Sequence, residues 1–283
     1  MRETYGSRIP ESRQIVRMLR PQSPVFAALP ERCEAFDGGF GSIAEQLYGP
    51  NIFLAYVEAN HYVGNTGWHP DHSPNYNAPG CRFAWYLDPL QAGSGGAHRS
   101  SLISLCDQTR WFIDDYFVWW PITVVVSVAI TVALALRIIP GSHASPLHDI
   151  LHAAHQRAGG PGHTTEGIAA ELGCQREEDV PCHVCATEPG DMIVFDQGCF
   201  HAAFGGAAGR RMCSAVFYLV PRNETEDLSL RARAVVNNAA YYEPSRRFQR
   251  RGYDAHWISN DDNSERRAKW ISCLRRYGFD LAG

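Results

Sequence analysis

The segment Gly67-Trp68-His69-Pro70-Asp71-His72 sets an imidazole and a carboxylate two residues apart, directly after a stretch that reads as a strand. Residues i and i+2 of an extended chain project to the same side. His69 and Asp71 can therefore supply two ligands of a two-histidine, one-carboxylate facial set, which holds a ferrous ion and leaves coordination positions open. The third ligand must come from elsewhere in the chain. Glu188-Pro189-Gly190-Asp191 reads as a tight turn, residues 192–195 (MIVF) as a strand, and His201 sits just beyond it. His-x-Asp alone is a common surface pattern. Joined to a distant histidine that follows a turn and a strand, it becomes far more specific.

Short strands must carry these residues. Residues 51–63 (NIFLAYVEANHYV) and 82–87 (RFAWYL) are β-branched and aromatic, and residues 64–79 between them read as a loop. Residues 136–139, 192–195 and 212–220 (MCSAVFYLV) read as further strands. Helices are expected around residues 43–47, at 148–157, and most clearly near the C-terminus. There Ser264 is an N-cap candidate, Trp270, Ile271, Leu274 and Tyr277 recur at helical spacing, and Gly278 is a C-cap candidate. Short strands bounded by turn residues favour a sandwich or jelly roll, and no internal repeat is visible. The 283 residues suit one all-β domain, so residues 1–283 are read as a single domain.

Composition narrows the function. Charged residues make up 20% and the net charge is −4, which excludes a basic nucleic-acid footprint over the whole chain. Nine cysteines is an odd count, and the N-terminal residues show no secretory leader. A reducing compartment, and hence a cytoplasmic location, is the expectation.

Taken in order, GWHPDHS at 67–73, FAWYLDPLQAGSG at 83–95, LRIIPGSH at 136–143, EPGDMIVFDQGCFHAAF at 188–204 and GRRMCSAVFY at 209–218 resemble the phytanoyl-CoA dioxygenase family of iron(II)/2-oxoglutarate-dependent oxygenases. The matching pieces span about the middle half of the chain. The resemblance implies a mainly β fold, a double-stranded β-helix (a cupin-like jelly roll) with flanking helices. It implies Fe(2+) held by His69, Asp71 and His201, 2-oxoglutarate as cosubstrate, dioxygen, and hydroxylation of a small organic substrate. Oxidative decarboxylation of the cosubstrate would yield succinate and carbon dioxide. No strongly basic pocket for a CoA phosphate is evident, which favours a secondary metabolite as substrate.

The family grips the far carboxylate of 2-oxoglutarate with an arginine about ten residues after the distal histidine, where a planar fork gives bidentate contact. Arg210 and Arg211 both stand at that distance. In a strand they face opposite sides. Arg211 shares its side with Cys213 and Ala215, whose small side chains leave room for a cosubstrate, so Arg211 is preferred and Arg210 is the alternative. His72, Trp85 and His143 are pocket candidates. For each the plainer role is open: solvent exposure for His72, core packing for Trp85, a structural turn for His143. Cys174, Cys182, His183 and Cys185 include a C-x-x-C, but no second well-spaced pair supports zinc.

One stretch departs from the family. Residues 96–134 interrupt what would otherwise be a familiar continuation from QAGSG to ALRIIPGSH, and no charged residue occurs from 117 to 135. A retained intron, a buried insertion and a membrane anchor are the three readings, with the first preferred. The block is expected to project from the barrel or lie poorly packed on it. A single crossing would put His69 and His201 on opposite sides of an apolar core about 30 Å thick, so a span and a working triad exclude each other. Besides the oxygenase, two other classes stay open: an inactive jelly-roll relative or defective gene product, and a single-span membrane protein.

Overall fold

The computed structural model describes residues 14–17, 29–31, 38–62, 65–71, 78–88, 135–158, 167–204, 210–242, 253, 255–259 and 264–279. The block at 96–134 and His72 lie outside the described residues, so the expectations placed on them rest on the sequence alone. The strands are β1 Gln14–Arg17, β2 Ile52–Tyr62, β3 Thr66–His69, β4 Gly80–Tyr86, β5 Leu136–Ile138, β6 His183–Cys185, β7 Met192–Asp196, β8 His201–Ala203 and β9 Arg210–Leu219. The α-helices are α1 Gly39–Tyr48, α2 Leu147–Arg157, α3 Gly167–Glu171, α4 Glu224–Tyr242, α5 Ala255–Ser259 and α6 Glu265–Tyr277. Among the described residues helix is therefore as prominent as strand, and the fold is antiparallel β with substantial flanking helix.

The chain divides into two compact units, one from Met1–Val63, His72–Leu87 and Ala208–Gly283, the other from Gly64–Asp71 and Asp88–Ala207. Each draws on separated stretches, so no single cut of the chain parts them.

In the first unit β2 pairs with β1 and β9, and β9 pairs with β4, all antiparallel. The non-sequential order is that of Greek-key connections, as in jelly rolls. Alternation gives this sheet two unlike faces. Phe83, Trp85, Cys213, Ala215 and Phe217 share one face, because Trp85 opposes Cys213 and Phe83 opposes Ala215. Helices cover that face. Phe40 of α1 stacks on Phe83 at 5.5 Å between ring centroids and meets Trp85 at 5.1 Å, and Trp270 of α6 meets Phe217 at 5.8 Å. The other face carries Glu58, Asn60, Arg82, Met212 and Ser214, all buried. The Ser214 hydroxyl donates to Glu58 across the β2–β9 pair at 3.3 Å.

The terminal helix α6 forms as the sequence predicts. The Ser264 side chain accepts from the Arg267 amide at 3.1 Å, and Gly278 closes the helix at φ 84°. Four residues recurring at helical spacing, Trp270, Ile271, Leu274 and Tyr277, form its buried stripe. An ion pair from Arg266 to Glu45 at 2.9 Å ties it to α1. The helices are in close contact at Gly41, where an added Cβ would lie 2.7 Å from the Trp270 ring and 2.9 Å from the Pro30 carbonyl oxygen. Two effects oppose in Gly41→Ala. Helix propensity favours alanine by about 1 kcal/mol. Overpacking against an immobile buried ring costs about 1–3 kcal/mol. Overpacking wins because Trp270 is fully buried. The urea midpoint of Gly41→Ala should fall, and a raised midpoint would show that the helices part freely here.

In the second unit β8 pairs with β3 and β5, and β5 pairs with β6, again antiparallel and out of sequence order. Trp68, Ile139, Leu151, Ala154, Ile168, Val180, Phe200, Ala202 and Phe204 form its apolar core. This core lies on one side of the sheet, since Trp68 and Ala202 alternate with His69 and His201. Helix α2 supplies Leu151 and Ala154 to it. The indole N–H of Trp68 donates to the Glu177 carbonyl at 3.0 Å, so the largest core side chain has its polar atom satisfied.

Candidate metal centre

His69 ends β3, His201 begins β8, and the two are direct partners in the antiparallel pair. That register puts both imidazoles on one face with ring centroids 4.4 Å apart. Asp71 follows two residues after His69. Its backbone N–H donates to the Gln197 carbonyl at 2.9 Å, which anchors the chain just past β3. Asp71 Oδ2 stands 3.8 Å from His201 Nε2, with both side chains more than nine-tenths buried. One ligating atom from each of His69, Asp71 and His201 lies within 4.8 Å of the other two. Ligands of a facial set stand at right angles, so two atoms each about 2.1 Å from the ion are about 3.0 Å apart, and the three must draw together by up to about 1.8 Å to complete the set. All three residues belong to the second unit.

Both histidines are oriented by the same local device. His69 Nδ1 meets the Gly67 carbonyl at 2.7 Å, and His201 Nδ1 meets the Cys199 carbonyl at 3.0 Å. A carbonyl can only accept, so each Nδ1 carries the proton and donates. Each Nε2 is then left as the lone-pair nitrogen. Ligating histidines are held in this way in metalloproteins, where the second ring nitrogen fixes tautomer and ring plane. Phe195 of β7 packs its ring 4.9 Å from that of His201, and Ile138 of β5 is the cross-strand neighbour of His201 on the other side. The donor set and its tautomers fit a ferrous ion, for which two imidazoles and a carboxylate are a preferred set.

The remaining candidates separate. His143 lies in the turn after β5, with Nδ1 3.6 Å from Cys199 Sγ, and burial lowers its pKa. Trp85 is buried and packs against Phe40 in the helix-covered layer of the first unit. Arg211 is exposed near the start of β9, and its carbonyl accepts from the Leu87 amide at 3.0 Å. The face it shares with Cys213 and Ala215 is the one that α1 and α6 cover. The small side chains there make room for helices, which removes the reason for preferring Arg211. Position 210 alternates onto the other face, with Met212 and Ser214. Among the described residues Cys174, Cys182, His183 and Cys185 are not gathered into a metal-holding group. Burial raises the Cys182 and Cys185 thiols.

Sequence reasoning missed β3 and β8 as strands. It treated 64–79 as loop and placed His201 beyond a strand rather than in one. It also passed over α4, whose start was signalled: the Asn223 side chain accepts from the Glu226 amide at 2.9 Å, an N-cap three residues before an acidic side chain.

No family model matches the chain, and no curated protein matches it in sequence. Several solved structures resemble it in shape. EvdO2 from Micromonospora carbonacea var. aurantiaca complexed with 2-oxoglutarate is 18% identical, with a TM-score of 0.42 over 75% of this chain and 69% of that one. The non-heme alpha ketoglutarate dependent carbocyclase SnoK from nogalamycin biosynthesis is 12% identical, with a TM-score of 0.42 over 73% of this chain and 63% of that one. An oxidoreductase of the 2OG-Fe(II) oxygenase family from Burkholderia pseudomallei is 12% identical, with a TM-score of 0.37 over 79% of this chain and 78% of that one. The chain spans 35% of the length of EvdMO1.

Proposed function

We propose that the chain is an iron(II)- and 2-oxoglutarate-dependent oxygenase that hydroxylates a small organic substrate, a secondary metabolite by preference. The observation that carries this reading is the convergence of His69, Asp71 and His201, with both imidazoles locked by backbone carbonyls in the tautomer that ligates through Nε2. A ferrous ion bound there would supply the dioxygen chemistry that amino-acid side chains cannot. The residues around it do the rest. Phe195 and Ile138 flank His201 and hold its ring in one plane. The carboxylate of Asp71 would offset one of the two positive charges of the ion.

For the cosubstrate we assign Arg210 rather than Arg211, since position 210 belongs to the face of β9 opposite the one on which Phe40 of α1 and Trp270 of α6 pack. That face also holds Glu58, Asn60, Arg82 and Ser214, a concentration of buried polar groups that suits a polar ligand. The fold of such an enzyme would be the double-stranded β-helix, which the two antiparallel sheets and their Greek-key orders support.

The pairing of His69 with His201 within one sheet bears on the membrane alternative. A chain crossing once between residues 117 and 135 would separate them by about 30 Å of hydrocarbon. Among the described residues no helix is long and apolar enough to cross a membrane.

The test is succinate formation. Protein reconstituted with Fe(II) without oxygen, then given 2-oxoglutarate and air, should release succinate even without substrate, at the slow rate of uncoupled turnover. His69→Ala should not. Equal succinate from both proteins, or none from the wild-type protein at full iron occupancy, would overturn the reading.

A further inference from the structure

Helix α2 carries three histidines on one face. His148, His152 and His155 follow at spacings of four and three, which stacks them along the helix. His148 and His152 lie ring over ring, 5.8 Å apart with planes within 19°, and the His152 and His155 rings are 6.3 Å apart. His148 and His155 also pack on Phe200, the residue immediately before His201. The same helix contributes Leu151 and Ala154 to the apolar core behind the strands that carry His69 and His201. The helix is therefore the backing of the metal-bearing strands, and its contact surface is part apolar and part imidazole.

These imidazoles are not equivalent. His148 is satisfied, with Nδ1 2.8 Å from the Ser142 carbonyl. His152 is 92% buried, and neither of its ring nitrogens has a hydrogen-bond partner; Nδ1 of the still more deeply buried His155 has none either. A polar ring with no partner is tolerable while it is neutral and costly once charged. The neighbours do not relieve that cost. The charges acting on His152 are those of His148 and His155, which oppose its protonation, and of the exposed Asp149, which favours it. The charge of His69 of β3 opposes protonation of His155. Around the rest of the helix, the Glu171 carboxylate of α3 pairs with Arg157, and Asp196 acts on His143 beyond His148.

We propose that α2 is an acid-sensitive latch, in which protonation of His152 in mild acid releases the helix from the back of the strands that carry the metal ligands. The direction follows from linkage. Burial and the neighbouring histidines lower the pKa of His152 below its ordinary 6.5. The unlatched state then binds more protons than the latched one, so docking is complete above pH 6.5 and weakens as pH falls through and below that value. The loss of metal that should accompany release rests on the oxygenase reading above, while release itself does not.

Amide exchange of residues 147–157, corrected for intrinsic rates, tests the latch on the full chain without metal. Between about pH 7.5 and 5.5 the protection of this helix should fall, by up to about tenfold, the factor for the one pH unit that lies below the ordinary histidine value. In His152→Gln and His152→Met it should change less than about twofold, with β9 equally protected in all three. A flat wild-type profile, an equal fall in the variants, or an equal fall in β9 would overturn the proposal. If neither variant folds, the wild-type imidazole signal of His152 decides. It should stay neutral until the helix loses protection, and ordinary titration near pH 6.5 with the helix intact would overturn the latch. Iron retention over the same pH range then reads the coupling separately.

Discussion

His201→Ala should lose stoichiometric iron. Wild-type protein loaded with Fe(II) in the absence of oxygen is expected to hold one ion per chain, and the variant to bind more than about a hundredfold more weakly. The bound on that factor comes from chemistry one step removed, because loss of a partner that merely orients a ligand already costs about 10–100-fold. Removing the ligand itself must cost more. His201 is the most telling of the three positions because its register with His69 defines the site. Its ring is fixed on several sides, by the Cys199 carbonyl, by Phe195 and by its cross-strand neighbour Ile138. Alanine keeps strand β8 and removes only the donor. Asp71→Asn should behave similarly, since an amide oxygen is a far poorer ligand than a carboxylate. Iron content measured after gel filtration settles it: an unchanged metal content in His201→Ala would remove the site from these three residues.

Arg210→Ala should raise the KM for 2-oxoglutarate in succinate formation by about 10–150-fold, and Arg211→Ala should leave it within about twofold. The larger figure converts a charge-assisted bidentate contact, worth about 1.5–3 kcal/mol, into an affinity ratio. The contrast between neighbours is the substance of the prediction. Both arginines are long, cationic and adjacent, so a general electrostatic role would show in both variants alike. Only a contact confined to one face of β9 separates them. Equal damage from the two substitutions would count against a face-specific grip, and damage from Arg211→Ala alone would restore the choice made on side-chain size.

That choice shows where a sequence stops informing. Cys213 and Ala215 are small, and alternation rightly put Arg211 on their side. Small residues on a strand face leave space, but nothing in the local sequence says whether a ligand or a helix fills it. Here Phe40 and Trp270 reach the same face from α1 and α6, at positions far apart in the chain. Trp85 meets Phe40 of α1 for the same reason. An aromatic side chain near a strand end carries no mark of which neighbour it will meet.

Local signals were read well where the physics is local. The α6 boundaries follow from Ser264, a stripe at helical spacing and Gly278, and the structure shows both caps. Helix α1 and the long strands β2 and β9 were likewise visible, because their residues are strongly periodic or β-branched. The short strands β3 and β8 were not. With 4 and 3 residues they have too few positions to show alternation, and they exist because they pair with each other.

The sequence by itself determined the ligand types, the two-residue spacing of His69 and Asp71, and the presence of a histidine beyond the 192–195 strand. Those are facts of covalent order and of strand geometry, which repeats every two residues. Only the tertiary structure decided that His69 and His201 stand opposite each other, that backbone carbonyls two residues upstream set both tautomers, and that helices claim the face of Arg211. Each of those depends on which distant segments pair and pack, and pairing energies are shared among many residues that no single motif contains.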